Sequence, residues 1–170
     1  FAGAATGTLT VAKAPTTVLL ADLDQVYDGT PRVVGAGTVP AGLAVQRSYN
    51  GQSAPPIAAG VYEIVATVTD ANYSGAVTGL LAVARKPADI VLGNLAQVCD
   101  GTPRHATATT EPAMLAVDFT YDGRPPAPTK AGTYAVVATI GDANYSGRAT
   151  GTLVVARGVA TVALRDLAHV

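Results

Sequence analysis

Cysteine occurs once in this chain of 170 residues, methionine once, tryptophan never and phenylalanine only twice. A lone Cys99 cannot close an intrachain disulfide, and no thiolate metal site can be built on it. Such cysteine poverty suits the cytosol and equally suits exported repeat proteins, so the redox compartment stays open. Aromatic residues make up 5%, which leaves Val, Leu, Ile and Ala to supply a core. Charge is scarce as well: 14% of residues are charged, where about a quarter is usual. With 11 basic and 12 acidic residues the net charge is −1, and no electrostatic footprint for nucleic acid or an anionic membrane follows. No apolar run approaches the ~18 residues of a membrane span, and no charged, apolar, small-residue leader is visible, so membrane insertion is not expected. Sustained helical periodicity with a cap and a glycine stop is missing too, which predicts almost no helix.

What the chain has is repetition. AGVYEIVATVTDANYSG, from Ala59 to Gly75, returns as AGTYAVVATIGDANYSG from Ala131 to Gly147. A truncated third copy opens at Phe1, where FAGAATGTLTVA aligns with YSGAVTGLLAVA from Tyr73 and YSGRATGTLVVA from Tyr145. The offsets agree, 73 − 1 = 72 and 145 − 73 = 72. A fixed period marks an array of modules. Residues 1–14 are therefore expected to be the last strand of a preceding repeat, 15–86 and 87–158 two full repeats, and 159–170 the first strand of a following one. The chain reads as a piece of something longer. A module of this size buries only about 60% of its unfolded surface, so its stability depends on close packing or on neighbours.

Within a repeat the first strand is expected over Val18–Leu23, matched by Ile90–Leu95. QVYDGTPR (Gln25–Arg32) and QVCDGTPR (Gln97–Arg104) carry a turn between two short extended pieces. Leu43, Val45 and Tyr49 alternate with polar or small residues, as do Leu115, Val117, Phe119 and Tyr121, giving a strand with one buried face. It ends at Asn50-Gly51 or Asp122-Gly123, the dipeptides suited to a type I′ reversal. SAPPIAAG and PPAPTKAG are too rich in proline for a central strand and are expected at an edge. In the next strand Tyr62, Ile64, Ala66 and Val68 share one face, assigned to the core, with Val65 on the other. DANYSG then turns the chain into the last strand, Ala76–Ala84. Six or seven short strands between turn signals predict an all-β fold of tandem small antiparallel β-sandwich modules with a 72-residue period. Linkers as short as ARKP predict a semi-rigid array.

YDGTP, Tyr-Asn/Asp-Gly, AGTY, VTDANYSG and ATGTL, in that order and over the whole chain, resemble the MBG repeats of bacterial surface and secreted proteins. The resemblance implies Ig-like modules in tandem, an extracellular or cell-surface location, and a place in a stalk, fibre or adhesin. Departures are Cys99 at the position of Tyr27, Gly141 at that of Thr69, and VTGLL at Val77–Leu81.

Candidate chemistry is thin. Asp70, Asn72, Ser74 and Gly75 match the first half of a calcium loop, but its twelfth position is Leu81, or Leu153 in the second copy, where a bidentate carboxylate is required. The competing reading is a turn in which Asp and Asn cap backbone amides and Gly75 takes a positive φ. His105 and His169 occupy the positions of Val33 and Gln25, so the repeat plan requires neither. Ser48, Ser53, Ser74 and Ser146 have no histidine in a shared motif. Asp28, Asp70, Asp100 and Asp142 all stand beside turn residues that explain them. A Lys-to-Asn crosslink would need a lysine in each repeat, yet Lys86 is matched by Gly158 and Lys130 by Ala58. Tyr62, Tyr134, Tyr73 and Tyr145 suit a core with bonded hydroxyls better than a sugar platform.

No catalytic, cofactor-binding or metal residue is therefore assigned, and no cofactor. The expected role is a structural spacer or filament segment of a large extracellular protein, without catalysis. The alternative is an adhesion module that binds glycan or a host surface through variable loops, Val33–Val39 and His105–Glu111. Expected partners are neighbouring repeats. Self-association by strand addition at the ragged ends, through Leu9 and Val11 or Val162 and Leu164, is a further expectation.

Overall fold

The computed structural model describes residues 1–162. His169 and most of the expected closing segment 159–170 lie outside the described residues. The chain divides into two compact units, the first ending at Lys86 and the second beginning at Pro87. Among the described residues there is no helix.

The first unit runs β1 (Ala14–Pro15), β2 (Thr17–Ala21), β3 (Asp24–Val26), β4 (Gly35–Val39), β5 (Val45–Tyr49), β6 (Gly60–Val68), β7 (Tyr73–Ser74) and β8 (Ala76–Ala84). The second, entered through β9 (Lys86–Pro87), repeats the plan: β10 (Asp89–Gly93), β11 (Ala96–Val98), β12 (Thr107–Glu111), β13 (Val117–Tyr121), β14 (Gly132–Ile140), β15 (Tyr145–Ser146) and β16 (Arg148–Ala156). Each unit is a sandwich of a four-stranded sheet, ordered β3-β8-β6-β5 or β11-β16-β14-β13, on a two-stranded one, β2-β4 or β10-β12.

The sheets are not purely antiparallel, as the pattern led us to expect. β3 pairs with β8 and β11 with β16 in parallel, and so does β1 with β7. The first two of these pairings follow a step at Asp22 and Asn94, which adopt φ of 60° and 55°. This left-handed step, which Asp and Asn tolerate better than other side chains, moves the chain from one sheet to the other without reversing it. The expected strand Val18–Leu23 thereby ends early, at Ala21, and β3 begins only after the crossing. Gln25 fixes the crossing, its Nε2 donating to the carbonyls of Asp22 (2.7 Å) and Val33 (3.0 Å), and Gln97 does the same with Asn94 and His105 (both 2.8 Å).

The core lies between the two sheets. In the first unit Val34, Tyr49, Ile64, Leu81 and Val83 form a buried cluster, with Leu20, Leu23, Tyr27 and Tyr62 packed against it. In the second, Ala106, Tyr121, Val136, Leu153 and Val155 do so, joined by Cys99, Phe119 and Tyr134. Each fully buried Leu or Ile contributes about 1.5–3 kcal/mol by leaving water. The tyrosine phase of β6 and β14 does face inward: Ile64, Ala66 and Val68, and Val136, Ala138 and Ile140, are buried. Tyr62 and Tyr134 themselves are only half-buried, because they stand where the sandwich opens towards solvent.

Three further expectations are corrected. Val33–Val39 and His105–Glu111 are not loops, since β4 and β12 occupy most of them and each completes a sheet. SAPPIAAG and its counterpart form no strand before their closing glycines, which open β6 and β14, and a backbone bond ties each to the preceding turn, from Arg32 N to Pro56 O or Arg104 N to Pro128 O (both 2.8 Å). Residues 1–13 form no strand either, and Leu9 and Val11 are exposed. In the full repeats the matching segment is held between two strands that precede it in sequence, β8 between β3 and β6 and β16 between β11 and β14.

Candidate functional site

The DANYSG turn is the sequence feature that most invites a chemical role. Asp70 Oδ1 accepts the amides of Asn72 (2.7 Å) and Tyr73 (3.0 Å). Asp142 accepts those of Asn144 (2.7 Å) and Tyr145 (2.9 Å). The aspartate thus caps its own turn, while Leu81 and Leu153, at the twelfth position, are wholly buried in the cores.

Gly75 does not take the expected positive φ. Its role is spatial: a Cβ there would sit 2.4 Å from the Thr16 carbonyl oxygen, and one on Gly147 2.2 Å from that of Ala88. The turn is pressed against the segment leading into its own module. Ala14 N donates to Asn72 O (2.7 Å) and Thr16 N to Ser74 O (2.9 Å), and Ala88 N donates to Ser146 O (2.9 Å). Lys13 Nζ adds a bond to Asp70 O (2.7 Å).

YDGTPR is a second self-contained turn. Asp28 Oδ1 accepts the Thr30 amide (2.8 Å) and hydroxyl (2.7 Å), and Asp100 accepts those of Thr102 (2.9 and 2.7 Å). Arg32 pairs with Asp28 and Arg104 with Asp100. The Thr30 bonds, and then Arg32, hold the Asp28 carboxyl below its ordinary value.

The reversals at Asn50-Gly51 (φ 48° and 79°) and Asp122-Gly123 (φ 48° and 76°) have the expected type I′ signs. Asn50 Oδ1 also accepts the Glu63 amide (2.7 Å) and Asp122 Oδ1 that of Ala135 (2.8 Å).

The tyrosines are structural anchors. Tyr62 donates to Ala58 O and Tyr134 to Lys130 O (both 2.9 Å). Tyr49 and Tyr121, which the pattern marked only as strand residues, are the deeper pair at 4% exposure each. Their hydroxyls accept the amides of Val34 (3.2 Å) and Ala106 (2.9 Å), each the residue just before β4 or β12. Nothing in the linear pattern pairs these residues except their constant separation in the two copies.

His105 is exposed, and among the described residues no three His, Cys, Asp or Glu side chains gather as a metal site would require. Cys99 is half-buried and its thiol donates to Thr129 O (3.3 Å). Ser48 lines a small surface depression with Gln46, Arg47, Val65 and Thr67. Arg47 occupies the inward position that Phe119 holds in the other copy, and its Nε is buried without a partner.

A larger depression of about 500 Å³ lies in the second unit, between the type I′ turn and the proline-rich loop. Tyr121, Asp122, Arg124, Pro128, Lys130 and Tyr134 are among its lining residues. Arg124 and Lys130 stand where the first copy has Gln52 and Ala58.

The family model described as MBG domain matches residues 16–87 and 88–159. The two matches cover most of the chain, which belongs to the MBG domain family as a tandem pair of its repeats. A comparison with curated proteins found no match.

Proposed function

We propose that this chain is a spacer: a tandem segment that sets distance within a large bacterial extracellular or cell-surface protein, and that it carries out no catalysis. One observation carries the reading. The polar residues that the two copies share form hydrogen bonds to the backbone of their own module: Asp28 with Asp100, Gln25 with Gln97, Tyr62 with Tyr134, Asp70 with Asp142. What is repeated is the means of folding.

A second reading, adhesion to glycan, is favoured by the depression in the second unit, where Arg124 and Lys130 add two cations that the first unit lacks. The segments 33–39 and 105–111 do not support it, since most of each is a sheet strand, β4 or β12, and the residue just before that strand, Val34 or Ala106, belongs to the core. A glycan array probed with the full chain separates the two readings. The spacer reading expects no saturable binding. Saturable binding that disappears in Arg124→Ala and Lys130→Ala would establish the adhesion reading instead.

A further inference from the structure

We propose that each module bears tensile load along the chain, because the segment that leads into it and the strand that leads out of it are bonded to each other in parallel. In the first unit β1 pairs with β7 and β3 with β8, both in parallel. The incoming segment is tied at its start by Ala14 N to Asn72 O (2.7 Å) and Thr16 N to Ser74 O (2.9 Å). It is tied again at its end by Ala82 N to Leu23 O (2.8 Å) and Tyr27 N to Ala84 O (2.9 Å). The second unit repeats the arrangement with Ala88 N to Ser146 O (2.9 Å), Val154 N to Leu95 O and Cys99 N to Ala156 O (both 2.8 Å).

Parallel strands place the start of one and the finish of the other at opposite ends of the pair. Tension applied at the two ends of a module therefore pulls these strands along their own axes in opposite directions. Every bond between them is strained at once, in shear. Strands pulled from a shared end would instead lose their bonds one at a time. The proline at the start of each module fits this geometry. Ala14 and Thr16 donate to the turn, so the missing N–H of Pro15 falls where the ladder needs no donor. Gly75 and Gly147 keep the two backbones close enough for these bonds to form.

The biological purpose of such a clamp rests on the spacer reading, but the two fail separately. Ligand binding would end the spacer reading without touching the clamp, and a weak clamp would leave a spacer that carries no load. The test is single-molecule pulling of the full 170-residue chain. Held by its two ends, the wild-type chain is expected to give two unfolding events at similar force, each lengthening the chain by up to roughly 250 Å. Forced unfolding reads the barrier, not the equilibrium stability.

A Ser53→Cys, Cys99→Tyr variant then moves one attachment point. β5 runs in the same direction as β8, since both are antiparallel to β6. Residue 53, just beyond β5, and the exit after Ala84 therefore face the same end of the sheet. Pulled from residue 53 and the C-terminus, the first module is expected to yield at a severalfold lower force, while the second, still loaded through its ends, is unchanged. Pulling the same variant by its two ends controls for the substitutions. Equal forces for the first module in the two geometries, or low forces for both modules of the wild-type chain pulled by its ends, would overturn the proposal.

Discussion

Replacing Gly75 by alanine is expected to detach the incoming segment from its module. The new Cβ would lie 2.4 Å from the Thr16 carbonyl oxygen and 2.8 Å from Thr16 Cγ2. The nearer atom is backbone, so no rotamer change relieves the clash. Overpacking of this kind costs about 1–3 kcal/mol. Moving Thr16 away also forfeits its amide bond to Ser74 O, a further loss of about 0.5–1.5 kcal/mol. The sum, about 1.5–4.5 kcal/mol, is a large part of the roughly 5 kcal/mol that holds a domain of this size. At ~4–8 °C per kcal/mol, the first module should melt at least about 6 °C lower.

Calorimetry on the whole chain measures this directly, with the second module as an internal reference. Asparagine supplies the decisive comparison. Asn accepts a positive φ but carries a Cβ, so at Gly75 it should be as damaging as alanine. At Gly51, where φ is 79° and nothing lies within 4 Å of an added Cβ, asparagine should be tolerated better than alanine. A Gly75→Asn chain with wild-type melting would refute the close-approach account and restore a conformational one.

Tyr121→Phe leaves the buried Ala106 amide without its acceptor and should destabilise the second module by about 1–3 kcal/mol, with faster exchange of that amide. Tyr134→Phe frees a half-exposed group that water can serve, so the larger loss in Tyr134→Phe would contradict the assignment of Tyr121 as the deeper anchor. The folded-state pKa of Asp28 is depressed, chiefly by its bonds to Thr30. Its contribution is therefore present above the ordinary carboxylate value of ~3.9 and is lost as pH falls through the lower folded one. Asp28→Asn should flatten the acid-side fall in stability below about pH 4, and an unchanged slope in urea titrations across that range would remove Asp28 from the account.

The sequence by itself determined the period, the all-β class and the inward face of β6, because a fixed 72-residue offset and a two-residue apolar alternation are one-dimensional facts. The Asn50-Gly51 reversal was equally legible, since positive φ at two consecutive residues selects so few residue types. The capping role of Asp70 belongs here as well, because an Asx turn closes within three residues. Three matters waited for the tertiary structure. The sequence pattern GAGTV does not read as a strand, and β4 exists because β2 offers it a ladder and the core accepts Val34 beside it. The parallel pairing of β3 with β8 follows a left-handed step at Asp22, whose consequence, a change of sheet, is felt more than 50 residues later at Ala82–Ala84. The need for glycine at position 75 arises from a carbonyl at Thr16, far away in sequence, and an aligned Gly shows only that a constraint exists. Local chemistry is written in the order of residues, but which distant backbone comes to rest against them is decided only when the chain has folded.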